Sequence, residues 1–346
     1  MENVNALSAE AAIVIDMNSG RILFAKNESR KKLIASTTKI MSAVVAIEYG
    51  DLDSVVSVDE DILKAFGSAI YIQVGEEISL RDLIYGLMLR SGNDAAIAIA
   101  KHVASSVDAF TLLMNEKASN LKMENTIFLN PHGLEENDGT GNMSTVYDMA
   151  ILMRYAMQNE IFREITGTKS ITVKSNYKTY VWQNKNKLLN NYEYATGGKT
   201  GYTEKAKRTL VTTASKEGKN LAVVTFNDGN DFNNHEALYN EYFAKYEIAY
   251  VLDRDTFKVG ENKYNDAQLY IENNFNMLVT KDEAEKINIK IKLNDVDEYR
   301  DQDAIGIVEV YIKNTLIHEE VIFIRRENNT IKETFWQKIF SWFKRW

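Results

Sequence analysis

Ser36-Thr37-Thr38-Lys39 stands directly before Ile40, Met41, Val44, Val45 and Ile47, apolar residues that recur at helical spacing until Gly50 stops the run. A three-residue step along a helix brings the serine and the lysine to one face. The pattern is weak by itself, because the same spacing recurs at Ser29/Lys32, Ser119/Lys122, Ser175/Lys178 and Ser341/Lys344. Taken singly, a serine at a helix start reads as an N-cap. What separates the Ser36 copy is that it opens an apolar helix, whereas Ser29/Lys32 lies in a polar, charged stretch.

On the N-terminal side, Ala11 to Asp16, Asn18-Ser19-Gly20 and Arg21 to Ala25 read as strand, turn and strand. On the C-terminal side, Ser79-Leu80-Arg81-Asp82 and Thr145-Val146-Tyr147-Asp148 have the form of capping boxes ahead of apolar runs. Past the single proline, Pro131, strand-like segments return at Arg208 to Ala214 and Asn220 to Phe226. Strands at both ends of a helical middle imply one α+β domain over residues 1–249. Beyond it, Ile287, Ile289, Ile291 and Leu293 alternate with Asn288, Lys290 and Lys292, which predicts a half-buried strand. Ile305 to Ile312, Lys313-Asn314 and Thr315 to Ile324 then predict a hairpin, so 250–330 is expected to be a small β-rich domain.

The chain has 346 residues, 45% hydrophobic and 26% charged, which is globular usage. A formal net charge of -8 argues against nucleic acid as a partner. With no cysteine, disulfides, thiolate nucleophiles and Cys-ligated zinc are excluded. The four histidines, His102, His132, His235 and His318, form no ligand spacing, so neither a metal nor another cofactor is expected. No apolar run is long enough to span a bilayer, and Met1 to Glu10 lacks the features of a signal peptide.

Downstream of Ser36, Ser91-Gly92-Asn93 is the one S-x-N in the chain and Lys199-Thr200-Gly201 the one K-T-G, at intervals of 55 and 108 residues. This ordered triple resembles the motif set of the penicillin-binding protein and serine β-lactamase superfamily. Over roughly residues 8–325 the resemblance narrows to the low-molecular-mass D-Ala-D-Ala carboxypeptidases. It is carried by Leu89-Arg90-Ser91-Gly92-Asn93-Asp94-Ala95-Ala96, Asn130-Pro131-His132-Gly133-Leu134 and Gly198-Lys199-Thr200-Gly201-Tyr202-Thr203. It implies an α+β, transpeptidase-like catalytic domain followed by a β-rich one. It also implies an exported enzyme, whose signal peptide is then missing from this sequence, and peptidoglycan stem peptides and β-lactam antibiotics as its ligands.

A serine hydroxyl needs an adjacent base, and lysine serves as one only if burial or a neighbouring cation lowers its pKa. Ser36 is therefore expected to be the nucleophile and Lys39 its base, with Lys199 as the nearby cation. Ser91 is suited to relay a proton to the leaving nitrogen, and Asn93 to hold the substrate's peptide groups. By resemblance, Lys199 and Thr200 face the terminal carboxylate, Gly201 lets an edge strand approach it, and the backbone N–H groups of Ser36 and Tyr202 hold the oxyanion. Where many relatives place a carboxylate-binding arginine, this chain is expected to offer His235.

A β-lactamase of the same superfamily would carry E-x-x-L-N, but before Leu129-Asn130 that position is Thr126, with Glu124 out of register. The same motif triple is also compatible with a DD-endopeptidase, or with a catalytically silent wall-binding protein that keeps the fold. At the C-terminus, Ile331, Phe335, Trp336, Ile339, Phe340, Trp342, Phe343 and Trp346 share one side of a helical projection, with polar and cationic residues opposite. Residues 331–346 are thus expected to form an amphipathic helix on an anionic membrane surface, at the outer face of the cytoplasmic membrane.

Overall fold

In the computed structural model, residues 7–264 and 267–326 are described. They divide into two units that meet between Glu247 and Ile248.

In the first unit, β1 (Ala11–Asp16) is buried along its whole length, which is why its sequence lacks polar alternation, and it returns as β2 (Ile22–Lys26). The S-x-x-K segment is a 3-10 turn, Ala35–Thr38, that runs into α1 (Lys39–Tyr49). The α-helix therefore starts three residues after Ser36, and the Ser36 hydroxyl caps neither element. Ser79 caps α2 (Leu80–Tyr85) by accepting from the Asp82 amide, and α2 passes into a π-helical turn, Gly86–Arg90. After α3 (Asn93–Ala104) and α4 (Val107–Asn120), Thr145 caps α5 (Val146–Ala156) in the same way through the Asp148 amide. α6 (Glu160–Gly167) leads to a separate hairpin, β3 (Ser170–Lys174) and β4 (Thr179–Gln183).

The chain then closes the sheet with β5 (Ala195–Thr203), β6 (Lys207–Lys216) and β7 (Lys219–Phe226), followed by α7 (Asp231–Lys245). The strand order is β2-β1-β7-β6-β5, antiparallel throughout. Ile13, Val224 and Val211 are cross-strand neighbours on the face that packs into the helical core, against α5. Val14, Val223 and Thr212 alternate to the other face, which α7 covers. β5, which carries K-T-G, is left as the free edge beside the Ser36 turn.

In the second unit, Glu247–Leu252 (β8) pairs with Phe275–Val279, and a four-stranded sheet is built from Ala267–Tyr270, Ile287–Leu293, Ala304–Ile312 and Thr315–Arg326. Met277, Val308, Val310, Ile322 and Ile324 form its core. Ile287–Leu293 is a strand but not a half-buried one: Ile289 and Ile291 are 44% and 38% exposed, because the strand is the free edge of its sheet. The amphipathic segment 331–346 lies outside the described residues.

Candidate active site

Ser36 is presented by a strained turn, since Ala35 before it takes a left-handed φ of 48°. Two close approaches fix that turn. A Cβ on Gly133 would overlap the Ala35 carbonyl, and a Cβ on Gly201 would lie 3.1 Å from both the Ser36 and Thr37 amide nitrogens. Thr209, opposite Gly201 on β6, donates through Oγ1 to the Ile34 carbonyl at 3.1 Å, tying the sheet edge to the same turn. Lys39 follows on the first residue of α1, fully buried.

Lys39 Nζ has three near partners: Asn93 Oδ1 at 2.7 Å, the His132 carbonyl at 2.6 Å and Ser36 Oγ at 3.1 Å. The first two can only accept. A neutral amine that gives its two hydrogens to them has its lone pair left for the Ser36 hydroxyl. Burial, then the charges of Lys199 and Lys185, push the Lys39 proton affinity well below its ordinary value, with Asp94 opposing. The His132 imidazole, lowered to about 3 chiefly by burial, is neutral; its Nδ1 accepts from the Leu134 amide, so His132 serves the site through its carbonyl.

Ser91 ends the π-helical turn with a left-handed φ of 66°, which aims its hydroxyl at Lys199 Nζ, 3.1 Å away. Lys199 is buried, bonds the Thr200 carbonyl at 2.9 Å, and is brought down to about 7 by burial and then by Lys185. Asn93 Nδ2 donates to the Phe66 carbonyl at 2.6 Å, and its amide nitrogen to the Ser68 carbonyl at 2.8 Å. Its side-chain oxygen is thereby turned to Lys39, and one Nδ2 hydrogen is left over for another acceptor. The buried Asp94 carboxylate holds the 66–72 segment in turn, accepting from the Ile70, Tyr71 and Ile72 amides.

Ser36, Ser91, Thr200, Gly201 and Tyr202 line one groove of about 370 Å³. The structure thus brings Ser36, Lys39, Ser91, Asn93, Lys199, Thr200, Gly201 and Tyr202 together. His235 is not among them, which corrects the expectation that it binds a carboxylate. It lies one turn beyond Asp231 on α7, fully buried, with Nδ1 2.7 Å from Thr212 Oγ1 and Nε2 3.0 Å from Thr225 Oγ1. Burial lowers it to about 3, so it brings no charge at neutral pH.

The groove's exposed guanidinium belongs instead to Arg208, which sequence reasoning missed. Arg208 pairs bidentately with Asp231, through Nε at 3.1 Å and Nη2 at 2.7 Å, and keeps 45% of its side chain exposed. A usable signal was present: once Gly201 and Thr209 face each other across the hairpin, Arg208 must face Tyr202. Lys185 and Lys187 complete a cationic rim. Among the described residues, no group of three or more His, Asp or Glu is placed to hold a metal.

The family profile described as D-alanyl-D-alanine carboxypeptidase matches residues 1–230. The D-alanyl-D-alanine carboxypeptidase DacF of Bacillus subtilis is 34% identical over 227 residues, which cover 64% of this chain and 58% of that protein. The chain thus spans little more than half of that relative's length. The crystal structure of a D-alanyl-D-alanine carboxypeptidase from Mycobacterium tuberculosis superposes with a TM-score of 0.65 at 32% identity, over 68% of this chain and 91% of that one. Penicillin binding protein 5 of Haemophilus influenzae shares the fold over 93% of this chain and 97% of its own, with a TM-score of 0.78 at 24% identity.

Proposed function

The chain belongs to the D-alanyl-D-alanine carboxypeptidase family, and from that premise we propose that it removes the terminal D-alanine of peptidoglycan stem peptides through an acyl-enzyme on Ser36. The observation that carries the proposal is the pair of acceptor-only partners on Lys39, Asn93 Oδ1 and the His132 carbonyl, which leave the amine's lone pair to Ser36 Oγ.

Ser36 Oγ attacks the carbonyl of the penultimate D-alanine and its proton passes to Lys39. The oxyanion is held by the Ser36 and Tyr202 N–H groups, at the approach that Gly201 permits. Ser91 gives its proton to the leaving nitrogen and is resupplied by Lys199, so D-alanine departs as an amine. Water then hydrolyses the ester and restores Ser36. Asn93 donates to the substrate's amide carbonyl, while Thr200 and Arg208 face its terminal carboxylate. Penicillins acylate the same serine.

Deacylation assisted by a glutamate in the β-lactamase manner finds no support. Thr126 is bonded to Asp148 and Ser144, and Glu124 opens on a different surface cavity. To test the proposal, purified pentapeptide muropeptides are incubated with enzyme and weighed by mass spectrometry, alongside a labelled penicillin. Loss of one alanine and labelling of Ser36 are expected, both abolished in Ser36→Ala. Covalent labelling that persists in that variant would refute the assignment.

The residues beyond 250 serve as a β-rich domain that spaces the catalytic unit from the outer face of the cytoplasmic membrane, to which 331–346 bind. Three tryptophans among its last eleven residues and a cationic polar side support this. Cosedimentation with anionic liposomes should require residues beyond Thr330. Equal binding by a chain ending there would end the anchor proposal.

A further inference from the structure

At the end of β5 away from Tyr202, a cavity of about 420 Å³ opens between the β1–β2 turn, the end of α5, and α6. Arg154, Arg163, Asn18, Thr196, Ser215 and Asn220 line it, and among the described residues no Asp or Glu does, in a protein whose net charge is -8. None of its lining residues belongs to the catalytic groove.

Both guanidiniums are fixed by carbonyls, which hold a cation in place without neutralising it. Arg154 donates through Nε to the Met17 carbonyl at 2.7 Å and through Nη2 to the Asn18 carbonyl at 2.8 Å. Gly20, with a left-handed φ of 79°, makes the room: a Cβ there would lie 3.3 Å from Arg154 Cζ. Arg163 spends Nη1 on the Met157 and Gln158 carbonyls, at 2.7 and 2.9 Å. Nη1 of Arg154, and Nε and Nη2 of Arg163, remain to meet a ligand. The nearby acids do not cancel this charge. Asp16 accepts from the Asn18 amide and the Ser19 hydroxyl, and Glu160, its side chain 91% exposed, stands 3.6 Å from Arg163 Nη2, an exposed pair that contributes little.

Two preoriented cationic forks, with hydroxyl and amide groups alongside, match an oxyanion that offers acceptor oxygens on several sides, as a phosphate does and a single carboxylate does not. The cavity also touches the strand that carries K-T-G. Thr196 is the extra residue of a β-bulge, since Thr213 faces Gly197 and Ala214 faces Ala195, and its Oγ1 lies 2.7 Å from Thr213 Oγ1. On the same helix as Arg163, Thr166 Oγ1 accepts from the Gly198 amide at 2.9 Å and donates to the Gly198 carbonyl at 3.2 Å, immediately before Lys199. We propose that this cavity is a phosphate-binding regulatory site, and that its occupant adjusts the acylation of Ser36 through the Thr196 bulge and Thr166. The regulatory part rests on the acyl-enzyme proposed above; the binding part stands without it.

To test it, binding of inorganic phosphate and of a glycerol-phosphate trimer to the full chain is measured by calorimetry, with acetate at matched ionic strength as the carboxylate control, in wild type, Arg163→Gln and Ser215→Glu. Ser215→Glu places a carboxylate in the cavity and leaves the carbonyl bonds of both guanidiniums intact. Wild type should bind phosphate and not acetate, and each variant should bind it about tenfold more weakly. Either tighter binding of the trimer or equal binding of both ligands supports the site, the first pointing to a polymeric phosphodiester and the second to free phosphate. Saturating ligand should change the rate of penicillin acylation by at least about fivefold in wild type. It should have no effect on Ser215→Glu, whose ligand-free rate should stay within about twofold of wild type. Equal affinities in all three proteins, or acetate bound as tightly as phosphate, would overturn the site; phosphate binding that leaves acylation unchanged would overturn the regulation. No acylation in ligand-free wild type would instead refute the proposed function, while the affinities still decide the cavity.

Discussion

Gly201→Ala probes the contact on which the site's geometry depends. An alanine Cβ would lie 3.1 Å from the backbone nitrogens of Ser36 and Thr37, and would press on Thr209 Oγ1. Unstrained heavy-atom contacts begin near about 3.5 Å, so β5 must retreat by several tenths of an ångström or the Ser36 turn must yield. Tyr202 follows Gly201, so its N–H moves with the strand. Donors in an oxyanion hole act within a window of roughly 0.4 Å, and losing one costs about a hundred- to a thousandfold in rate. The Thr209 bond to the Ile34 carbonyl is disturbed too, and overpacking of this kind destabilises by about 1–3 kcal/mol. The expected result is a folded protein with a lowered melting temperature whose second-order rate of penicillin acylation falls by at least about a hundredfold. Gly229→Ala, which would meet nothing within 4 Å, should be silent in both measurements. Acylation of the Gly201 variant within about threefold of wild type would show that the Ser36 and Tyr202 amides do not form the hole together.

Lys39→Arg should abolish acylation while Lys199→Arg keeps part of it, because arginine retains a cation but cannot accept the serine's proton; equal residual rates, measured with labelled penicillin, would refute the division of roles. Asp94→Asn removes the carboxylate whose charge raises the Lys39 proton affinity, so Lys39 becomes deprotonated at lower pH and the acid limb of the acylation profile should move to lower pH. A lower rate at every pH with an unmoved limb would reduce Asp94 to a purely structural part. Arg208→Gln should raise KM for peptides ending in D-alanine by about tenfold with little change in kcat, as loss of a charge-assisted carboxylate contact predicts, whereas His235→Gln should lower the melting temperature and leave KM alone; the opposite pattern would restore His235 to the groove.

The candidate site residues were legible before the fold because their chemistry is written locally. Ser36 and Lys39 share one turn, Ser91 and Asn93 another, and Lys199, Thr200 and Gly201 one strand, so three short motifs in order encode most of the site. Four of the sheet's five strands were legible for the same reason, since runs such as Ala11–Asp16 and Lys219–Phe226 are buried between turns, whereas Ala195–Thr203, rich in glycine and threonine, gave no such run. What could not be read is what pairing creates across distance. Arg208 and Asp231 lie 23 residues apart and meet because the start of β6 pairs with the end of β7, which leads into α7. His235 illustrates the converse failure: its place in the chain suggested a groove residue, but one turn along a helix carries a side chain on the same face about 6 Å further along the axis. Asp231 and His235 share one face of α7 at different depths, so the first meets the groove while the second fills the space between Thr212 and Thr225. The Asp94 clamp was hidden for a further reason. Three consecutive amides of an irregular segment leave no periodic trace, and a carboxylate beside a motif asparagine looks like part of the motif until its partners at Ile70, Tyr71 and Ile72 are seen. The reacting groups are therefore recorded in residue identity, and their positioning in strand register and helix depth, which is where variants outside the three motifs should act.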